Sequence, residues 1–493
     1  MNTPAEFVNW PRTAVSRPAV VAEPKSVDEL IAIVCDRARY PSPLRPAGHF
    51  HSMNASITTP GTQVLMNNFG GIRVDTTKHT VTVGAFVSLI DIARALRPYG
   101  MQIECSPEIG NATAGSVACC GTKDASIGPR GLGQVSSCVV GMKLVNAKGE
   151  IEDTSVERDA ERLRVLRASY GLLGSVFEVT FSIQKLVLLR NSYASFKLDP
   201  VPQISDLFGK ADGVLGLIAP YSNLFMVERR TSVPDDTPRT RLSDFTLKLR
   251  NTLWENGVSY FSTRLDDNPW FYALDQALKL TFGIFNTLGG SVAYRNDSTL
   301  DFKFTRKHYF DFTFWGVPVS QWKTVIPQYV QFCKDFERHT GYRMNLPAEV
   351  YFIRRDPNSI LSFSEHEDVF TMDLVDSRPN DPNWTAFNRQ FNDFISAFGA
   401  RPLLNQTKQL DRIVVQRCLG AAWDRFSALR AREDADNRFL SPYFAGLLSE
   451  VAAEARSASQ AVSEPMVHPL ERWPFEGPGR AARMPPRRAM ALS

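Results

Sequence analysis

The stretch LRPAGHFHSMN, residues 44–54, is the part of the sequence from which the rest of the fold can be worked out. A short apolar run bounded by prolines predicts a buried strand, which breaks at Gly48 into a loop with two histidines. Because Gly48 has no Cβ, a planar or anionic ligand can approach the backbone closely. His51 offers an imidazole that can act as a hydrogen-bond partner, a metal ligand or a nucleophile. Taken alone, the pattern fits equally well a turn with two surface histidines.

A second stretch, residues 106–133, consists mainly of small residues: SPEIGNATAGSVACCGTKDASIGPRGLG. A segment that cannot fill a core with side chains must present its backbone instead. Consecutive exposed N–H groups form a concave anion site, and a pyrophosphate is its natural guest. The stretch is neither a Walker loop nor a G-x-G-x-x-G turn. A long surface loop is the alternative interpretation. Four hydroxyls would add donors: Thr113, Ser116, Thr122 and Ser126.

Length and composition indicate a soluble globular protein. With 493 residues the chain is too long for one ordinary core, so two large domains, or one domain with a large insertion, are expected. A net charge of +4 gives no reason to expect a nucleic-acid partner. Seven cysteines spread over the chain do not resemble a disulfide framework and favour reduced thiols in a cytosol. We see no signal peptide and no membrane-spanning run, so we expect a cytoplasmic protein that acts without a membrane.

Periodicity predicts helices mixed with short strands in the first part of the chain, which indicates an α+β domain. A capping box at Ser26 and Glu29 predicts a helix over 26–39, and a second helix is predicted from Ser88 to Gly100. The predicted strands are 64–69, 80–85, 138–145 and 175–186.

Four ordered segments carry a family resemblance: RPAGHFHS (45–52), PEIGNATAG (107–115), VVGMKLVNAKG (139–149) and YGLLGSVFEVT (170–180). They resemble the FAD-binding domain of the vanillyl-alcohol oxidase and p-cresol methylhydroxylase family. Within that family the sequence resembles the aldonolactone and alditol oxidase branch, which also contains sterol oxidases with covalent flavin.

The resemblance implies an α+β fold in which a two-subdomain FAD-binding domain, residues 1–186, precedes an α+β substrate or cap domain. The cap domain, residues 187–410, is expected to contain a large antiparallel sheet, with strands near 223–230 and 308–315 and helices near 320–339 and 384–398. Residues 411–455 would form a C-terminal arm that packs on the FAD domain. The last segment, 456–493, is rich in Pro, Arg, Ala and Ser and is predicted to be a disordered basic tail.

The resemblance also implies a covalent cofactor. His51 would be bonded through a ring nitrogen to the 8α-methyl group of the isoalloxazine, and His49 would shape the loop. Doubly linked relatives have a cysteine where this chain has Asn111, so a single covalent bond is expected. The residues implied to hold FAD are Ala47, Gly48, His49, Phe50, His51, Ser52, Met53, Asn111, Thr113, Gly115, Ser116, Gly121, Thr122, Ser126 and Val176. One departure is Lys123, since the family usually has Gly-Thr-His-Gly where this chain has Gly-Thr-Lys-Asp.

The resemblance further implies the catalytic residues. Glu349 matches the glutamate of the family's Glu-x-Arg strand, but Tyr351 occupies the arginine position. A phenol there favours a less polar or aromatic substrate, or is an ordinary strand tyrosine. Lys408 matches a family lysine, and Asn405 and Gln406 either replace missing donors or cap a turn. No metal site is predicted.

We therefore expect FAD-dependent oxidation of the CH–OH group of a small-molecule alcohol, such as a sugar, lactone, sterol or aromatic alcohol. A hydride would pass to the flavin while Glu349 acts as proton acceptor or substrate anchor. Oxygen would then reoxidise the flavin and release hydrogen peroxide. The alternatives are a dehydrogenase with another electron acceptor and a flavin-binding protein without turnover.

Overall fold

A computed structural model describes residues 5–105, 107–124, 133–257, 273–301 and 309–448. Ser126 and the tail 456–493, for which we made predictions above, lie outside these residues. Among the described residues, no helix is both long and apolar enough to cross a membrane.

The N-terminal part contains a small parallel sheet in which the strand before Gly48 lies at one edge. Its strands, in spatial order, are β3 (Val20–Ala22), β5 (Thr62–Leu65) and β4 (Leu44–Ala47). Helix α1 (Val27–Cys35) packs Leu30 and Val34 on this sheet. A two-stranded ribbon of β1 (Phe7–Val8) and β2 (Val15–Ser16) precedes it.

The end of α1 differs from the prediction. The Ser26 side chain accepts a hydrogen bond from the Glu29 amide, as the capping box predicts. The helix ends at Cys35 rather than at residue 39, because Asp36 turns the chain by accepting the Arg39 amide with its side chain. Similarly, β5 ends at Leu65, four residues before the predicted end of that strand.

A set of antiparallel strands completes the region of the expected FAD-binding domain, residues 1–186, which we call the FAD part; residues 187–410 are the cap part. The spatial order is β10-β9-β11-β7-β6, with β8 pairing to the far end of β11. The strands are β6 (Ile72–Asp75), β7 (Thr80–Gly84), β8 (Met101–Ile103), β9 (Val139–Asn146), β10 (Ile151–Ser155) and β11 (Gly174–Lys185). The helices are α2 (Leu89–Leu96), α3 (Ala114–Cys119) and α4 (Val156–Leu166). α2 gives way to a 3₁₀ turn, and Gly100 closes it with a left-handed φ of +65°.

The cap part is built on the large antiparallel sheet that the resemblance implies, which confirms the predicted fold class. In the described residues the sheet has eight strands, in the order β15-β12-β14-β13-β17-β18-β16-β19. They are β12 (Leu188–Lys197), β13 (Gly213–Ala219), β14 (Leu224–Val233), β15 (Ser291–Tyr294), β16 (Asp311–Pro318), β17 (Ala348–Ile353), β18 (Val369–Asp376) and β19 (Arg401–Pro402). The cap helices are α5 (Ile204–Phe208), α6 (Arg241–Thr252), α7 (Ala273–Thr287), α8 (Trp322–Thr340) and α9 (Pro382–Ser396).

The two faces of this sheet have different partners. One face packs on α8 and α9 through an aromatic cluster that includes Tyr329 and Phe387. Alternation along a strand sends neighbouring side chains to opposite faces. In β17, Val350 therefore joins the aromatic cluster, whereas Glu349 and Tyr351 point to the other face. That second face forms a wall of the candidate site.

Two C-terminal helices, α10 (Arg412–Glu433) and α11 (Pro442–Leu448), return to the FAD part. Trp423 and Phe444 belong to the same hydrophobic core as β7, β9 and β11. Between the two helices, the fully buried Arg438 side chain donates to the carbonyls of Ile33 and Val34. The arm is thereby fixed to the end of α1.

Candidate active site

Two adjoining spaces contain most of the predicted site residues. We call the first the cleft; it has a volume of about 1080 Å³ including its mouth. Its walls include eleven of the residues that the resemblance assigns to FAD: Ala47, Gly48, His49, Phe50, His51, Ser52, Thr113, Gly115, Ser116, Thr122 and Val176. Asn111 and Gly121 are chain neighbours of cleft residues, and Met53 lines the second space.

Gly48 allows the histidine loop to lie directly against α3. A Cβ at this position would stand 2.3 Å from Thr113 Oγ1 and 2.6 Å from Ser116 Oγ. These two hydroxyls are 2.9 Å apart and hydrogen-bond to each other. Only glycine therefore fits, and the loop backbone and the two hydroxyls together form a side-chain-poor cradle in the cleft.

The anion donors are not distributed as the small-residue stretch predicted. The amide of Ala114 donates to Val87 O at 2.8 Å, and the amide of Gly115 donates to Ala85 O at 2.9 Å. These N–H groups are thus used by the fold, because the stretch runs alongside the segment after β7. The predicted row of exposed amides is wrong at these positions.

The histidine loop supplies free donors instead. Within the part of the chain that the structure describes, the amides of His49, Phe50 and Ser52 donate to no protein acceptor. Phe50 has a left-handed φ of +52°, which changes the direction of successive N–H groups in the loop. Free amides beside a left-handed residue can form a concave site that suits a phosphate group. The cleft therefore fits FAD, with the histidine loop and the Thr113 and Ser116 hydroxyls as its polar contacts.

The two histidines of the loop have different surroundings. His49 shares a hydrogen bond of 2.6 Å between its Nδ1 and Asn111 O, and its ring packs edge-on against Phe86. His51 is partly buried, and its desolvation together with the nearby His49 lowers its pKa to about 3. His51 is therefore neutral at physiological pH, which leaves its imidazole in the nucleophilic form.

The second space, which we call the cavity, adjoins the cleft. Four residues line both spaces: His51, Ile109, Thr122 and Gln406. The cavity has a volume of about 1160 Å³ including its opening. Most of its wall is apolar, and the apolar residues come from the FAD part, α7 and the open face of the cap sheet: Trp10, Met53, Pro107, Ile109, Leu217, Trp254, Leu278, Leu300, Phe310, Phe312, Leu346, Pro347 and Val375.

A charged cluster forms the polar side of the cavity. Glu349 of β17 and Asp373 of β18 are register partners, so two carboxylates face the cavity side by side. Like charges directly opposite each other destabilise a sheet. Lys123 relieves this repulsion, because its Nζ forms an ion pair with Asp373 and lies 4.5 Å from the ring centroid of Tyr351. The Tyr351 hydroxyl donates to Glu349 Oε2 at 3.3 Å.

The cluster perturbs the acid–base properties of its members. Burial raises the pKa of Glu349; the charge of Lys123 opposes this shift and that of Glu108 adds to it. Burial lowers the pKa of Lys123 to about 8 against the opposing carboxylates of Glu349 and Glu108. The contact with Asp373 also favours the charged form of Lys123.

Glu108 is the third carboxylate of the cavity wall, and it is held by two buried arginines. Arg230 donates to it at 2.6 Å and Arg250 at 3.1 Å, and both arginines also contact the fully buried Glu228. Burial alone would raise the pKa of Glu108, but Arg250 and Arg230 hold it below its usual range. Glu108 is therefore a fixed negative charge, unlike Glu349.

The lysine that the resemblance marked as catalytic lies behind the loop rather than in either space. Lys408 Nζ contacts Asp311 Oδ2 at 2.8 Å, Met53 O at 2.7 Å and Thr13 Oγ1 at 3.0 Å. It lines neither the cleft nor the cavity. These contacts make Lys408 a support for the end of the histidine loop.

Asn405 does lie in the cleft wall, next to Gln406. Its Nδ2 reaches Ser52 Oγ at 3.4 Å, and its carbonyl accepts the Met53 amide at 2.9 Å. The Asn405 Oδ1 atom is buried and accepts no hydrogen bond from the described residues. The side chain and the backbone carbonyl of Asn405 thus both contact the histidine loop, in the wall of the cleft.

The sequence analysis assigned no role to three charged residues of the cavity wall. Lys123 was noted only as a departure from the family pattern, and Glu108 only as part of a quoted segment. Asp373 was missed, although a lone aspartate in the middle of the buried strand VFTMDLVD is a usable signal. Pairing across β17 and β18 brings Asp373 to Glu349, and that pairing could not be read from sequence.

Comparison with known proteins is consistent with this geometry. A family model described as an FAD binding domain matches residues 18–155, and a model described as D-arabinono-1,4-lactone oxidase matches residues 205–447. L-gulonolactone oxidase from Bos taurus is 24% identical over 458 residues, which cover 89% of this chain and 97% of that protein. L-gulono-1,4-lactone dehydrogenase from Mycobacterium tuberculosis is 22% identical over 445 residues, covering 88% and 97%.

Solved structures show the same fold. A cholesterol oxidase from B. sterolicum superimposes with a TM-score of 0.73 at 15% sequence identity, covering 90% of this chain and 97% of that one. The two domain matches confirm the predicted FAD-linked enzyme class. The chain thus combines an FAD binding domain with a region that matches D-arabinono-1,4-lactone oxidase, and it is similar along most of its length to aldonolactone oxidases and dehydrogenases, as the resemblance implies.

Proposed function

We propose that this protein oxidises the CH–OH group of a small-molecule alcohol, with FAD tethered through His51 and oxygen as the electron acceptor. The observation that carries the proposal is the shared wall of the two spaces. His51, Thr122 and Gln406 line both the cleft that fits FAD and the cavity that contains Glu349. A substrate in the cavity therefore lies next to the cofactor and within the same enclosure as a carboxylate.

Glu349 is the proposed proton acceptor. Burial raises the pKa of its carboxyl group, which makes the carboxylate a stronger base than an exposed one. Lys123 and the Tyr351 hydroxyl keep it ionised, since both favour the charged form. Bound FAD supplies a hydride acceptor, and oxygen then takes up two electrons and two protons to give hydrogen peroxide.

His51 is the proposed point of attachment. Its neutral imidazole can offer a nitrogen lone pair, whereas a protonated ring could not. His49 is held through Nδ1 by Asn111 O and serves to orient the loop. Lys408 is proposed as a positioning residue, because its three contacts fix the loop from behind. Asn405 is proposed to contact the bound cofactor.

A dehydrogenase that passes electrons to another acceptor is the second candidate, and the names of the relatives include both oxidases and dehydrogenases. Rapid mixing of substrate-reduced protein with air-saturated buffer tests the first proposal. Fast return of the oxidised flavin spectrum with one peroxide per alcohol consumed supports the oxidase. Slow reoxidation, with fast reoxidation by an artificial acceptor, supports the dehydrogenase. Failure of every alcohol to reduce the flavin under nitrogen contradicts both.

A further inference from the structure

We propose that the preferred substrate carries its hydroxyl group at one end of a bulky apolar skeleton, rather than on a polyhydroxylated sugar lactone. This inference rests on the proposed function and assigns a substrate class to the same cavity. By their names, the gulonolactone oxidase and dehydrogenase reported above act on lactones. A lactone substrate and an apolar alcohol substrate therefore give opposite expectations for the activity of this chain.

The first argument is the apolar part of the cavity wall, which adjoins the charged cluster. It is formed by side chains such as Leu217 of β13, Leu278 of α7 and Val375 of β18. Leu217, Leu278 and Val375 belong to one hydrophobic cluster that also includes Trp10 and Phe312. A ligand that reaches beyond the charged cluster therefore contacts hydrocarbon and aromatic rings.

The second argument is that the polar groups are already engaged. Glu108 is held by Arg230 and Arg250, and the Tyr351 hydroxyl donates to Glu349. The Lys123 ammonium contacts Asp373. Two carboxylate oxygens on this side remain available: Asp373 Oδ1, which is buried and accepts no hydrogen bond from the described residues, and the second oxygen of Glu349, whose partner oxygen accepts from Tyr351. Because Glu349 and Asp373 are register partners, these acceptors lie side by side at one end of the cavity, and hydroxyl groups farther along a substrate would meet the apolar wall.

The cost to a polyol follows from these two points. A buried hydroxyl without a partner lowers affinity by roughly 5- to 150-fold. A lactone with several hydroxyls would place more than one against the apolar wall. An apolar skeleton instead gains affinity with each methylene group that it buries there. The cavity thus discriminates by penalising extra hydroxyl groups.

The test compares decahydro-2-naphthol with L-gulono-1,4-lactone as substrates of the full-length, flavin-loaded protein. We expect kcat/KM to be at least 100-fold higher for decahydro-2-naphthol. If the lactone is the better substrate, the inference is overturned while the proposed function stands. If neither is oxidised, the proposed function fails for both of these substrate classes. Binding of decahydro-2-naphthone and of the lactone, followed by the change in the flavin absorption spectrum, then still decides the preference: tighter binding of the lactone overturns the inference.

Two variants of helix α7 distinguish an effect of the cavity wall from an effect on the helix as a whole. Leu278 lines the cavity and is 3% exposed, whereas Leu280 is 66% exposed on the same helix α7. We expect Leu278→Asn to reduce the preference for decahydro-2-naphthol over the lactone by tenfold or more and Leu280→Asn to leave it unchanged. The near-isosteric Val375→Thr adds a single hydroxyl to the wall and provides a milder version if Leu278→Asn does not fold. An unchanged preference in both wall variants overturns the inference.

Discussion

At the scale of single residues, Lys123 supplies a positive charge near Glu349, where the sequence analysis found no cation. Tyr351 occupies the position at which the family resemblance implies an arginine, and a positive charge comes instead from a loop of the FAD part. The Lys123 ammonium lies against the Tyr351 ring and pairs with Asp373, which is the register partner of Glu349. The charge near Glu349 is thus preserved by a residue far away in sequence.

Lys123 should therefore set the pH at which Glu349 becomes active. Its charge lowers the pKa of Glu349, so Lys123→Met should raise that pKa and move the acidic limb of kcat/KM to higher pH. Lys123→Arg keeps the charge and should leave the limb near its wild-type position. Glu349→Gln should remove the limb and reduce kcat/KM by about 10²- to 10⁴-fold. A Lys123→Met profile that superimposes on the wild-type profile contradicts this role.

Gly48 permits a second prediction at this scale. A methyl group there would overlap the Thr113 and Ser116 hydroxyls, and overpacking of this kind costs about 1–3 kcal/mol. We expect Gly48→Ala to purify with a much lower ratio of flavin to protein. Gly70→Ala is the matched control, because a Cβ at Gly70 meets nothing within 4 Å. Equal flavin content in the two variants would show that the cradle is not needed.

At the scale of elements, Lys408 connects the histidine loop to β16 of the cap sheet. Asp311, its partner, is fully buried in β16 and also accepts from the Trp384 indole at 3.0 Å. Burial raises the pKa of Asp311 and the charge of Lys408 lowers it, so the ionised form of Asp311 depends on Lys408.

Breaking this pair should affect stability more than catalysis. Removing one partner of a buried ion pair costs about 3–5 kcal/mol, because the other charge is left uncompensated. Lys408→Met should lower the free energy of unfolding by this amount in a denaturant titration, and adding Asp311→Asn should restore part of the loss. If Lys408 instead acts on the substrate, Lys408→Met would abolish kcat with unchanged stability.

Most elements follow from local patterns, and the deviations have local causes. Strands β7, β9 and β11 and helices α8 and α9 lie within three residues of their predicted positions, because their apolar periodicity is strong. The predicted end of α1 and the predicted exposure of the α3 amides were wrong. In both cases a side chain or a neighbouring segment captured backbone groups that the sequence pattern left free.

At the scale of the whole molecule, the site is assembled from distant parts of the chain. The resemblance located the cleft, since its residues lie in short contiguous segments. It did not locate the charged side of the cavity, because Glu108, Lys123 and Asp373 meet Glu349 only after the cap sheet and the FAD part have folded. Such long-range contacts have no signature in one sequence.

Glu108 tests this assembly with the opposite sign to Lys123. Its negative charge raises the pKa of Glu349, so Glu108→Gln should move the acidic limb of kcat/KM to lower pH. The variant should also be less stable, because Arg230 and Arg250 lose a shared carboxylate. A shift of the limb to higher pH would contradict this picture of the cavity.

The central claim is that His51 holds the flavin at the boundary of the cleft and the cavity. Acid precipitation of the purified protein, followed by flavin absorbance of pellet and supernatant, tests it most directly. The wild-type protein and His49→Ala should keep flavin in the pellet, and His51→Ala should release its flavin into the supernatant. Flavin that leaves the wild-type protein on precipitation, or that stays in the pellet of His51→Ala, would contradict the claim.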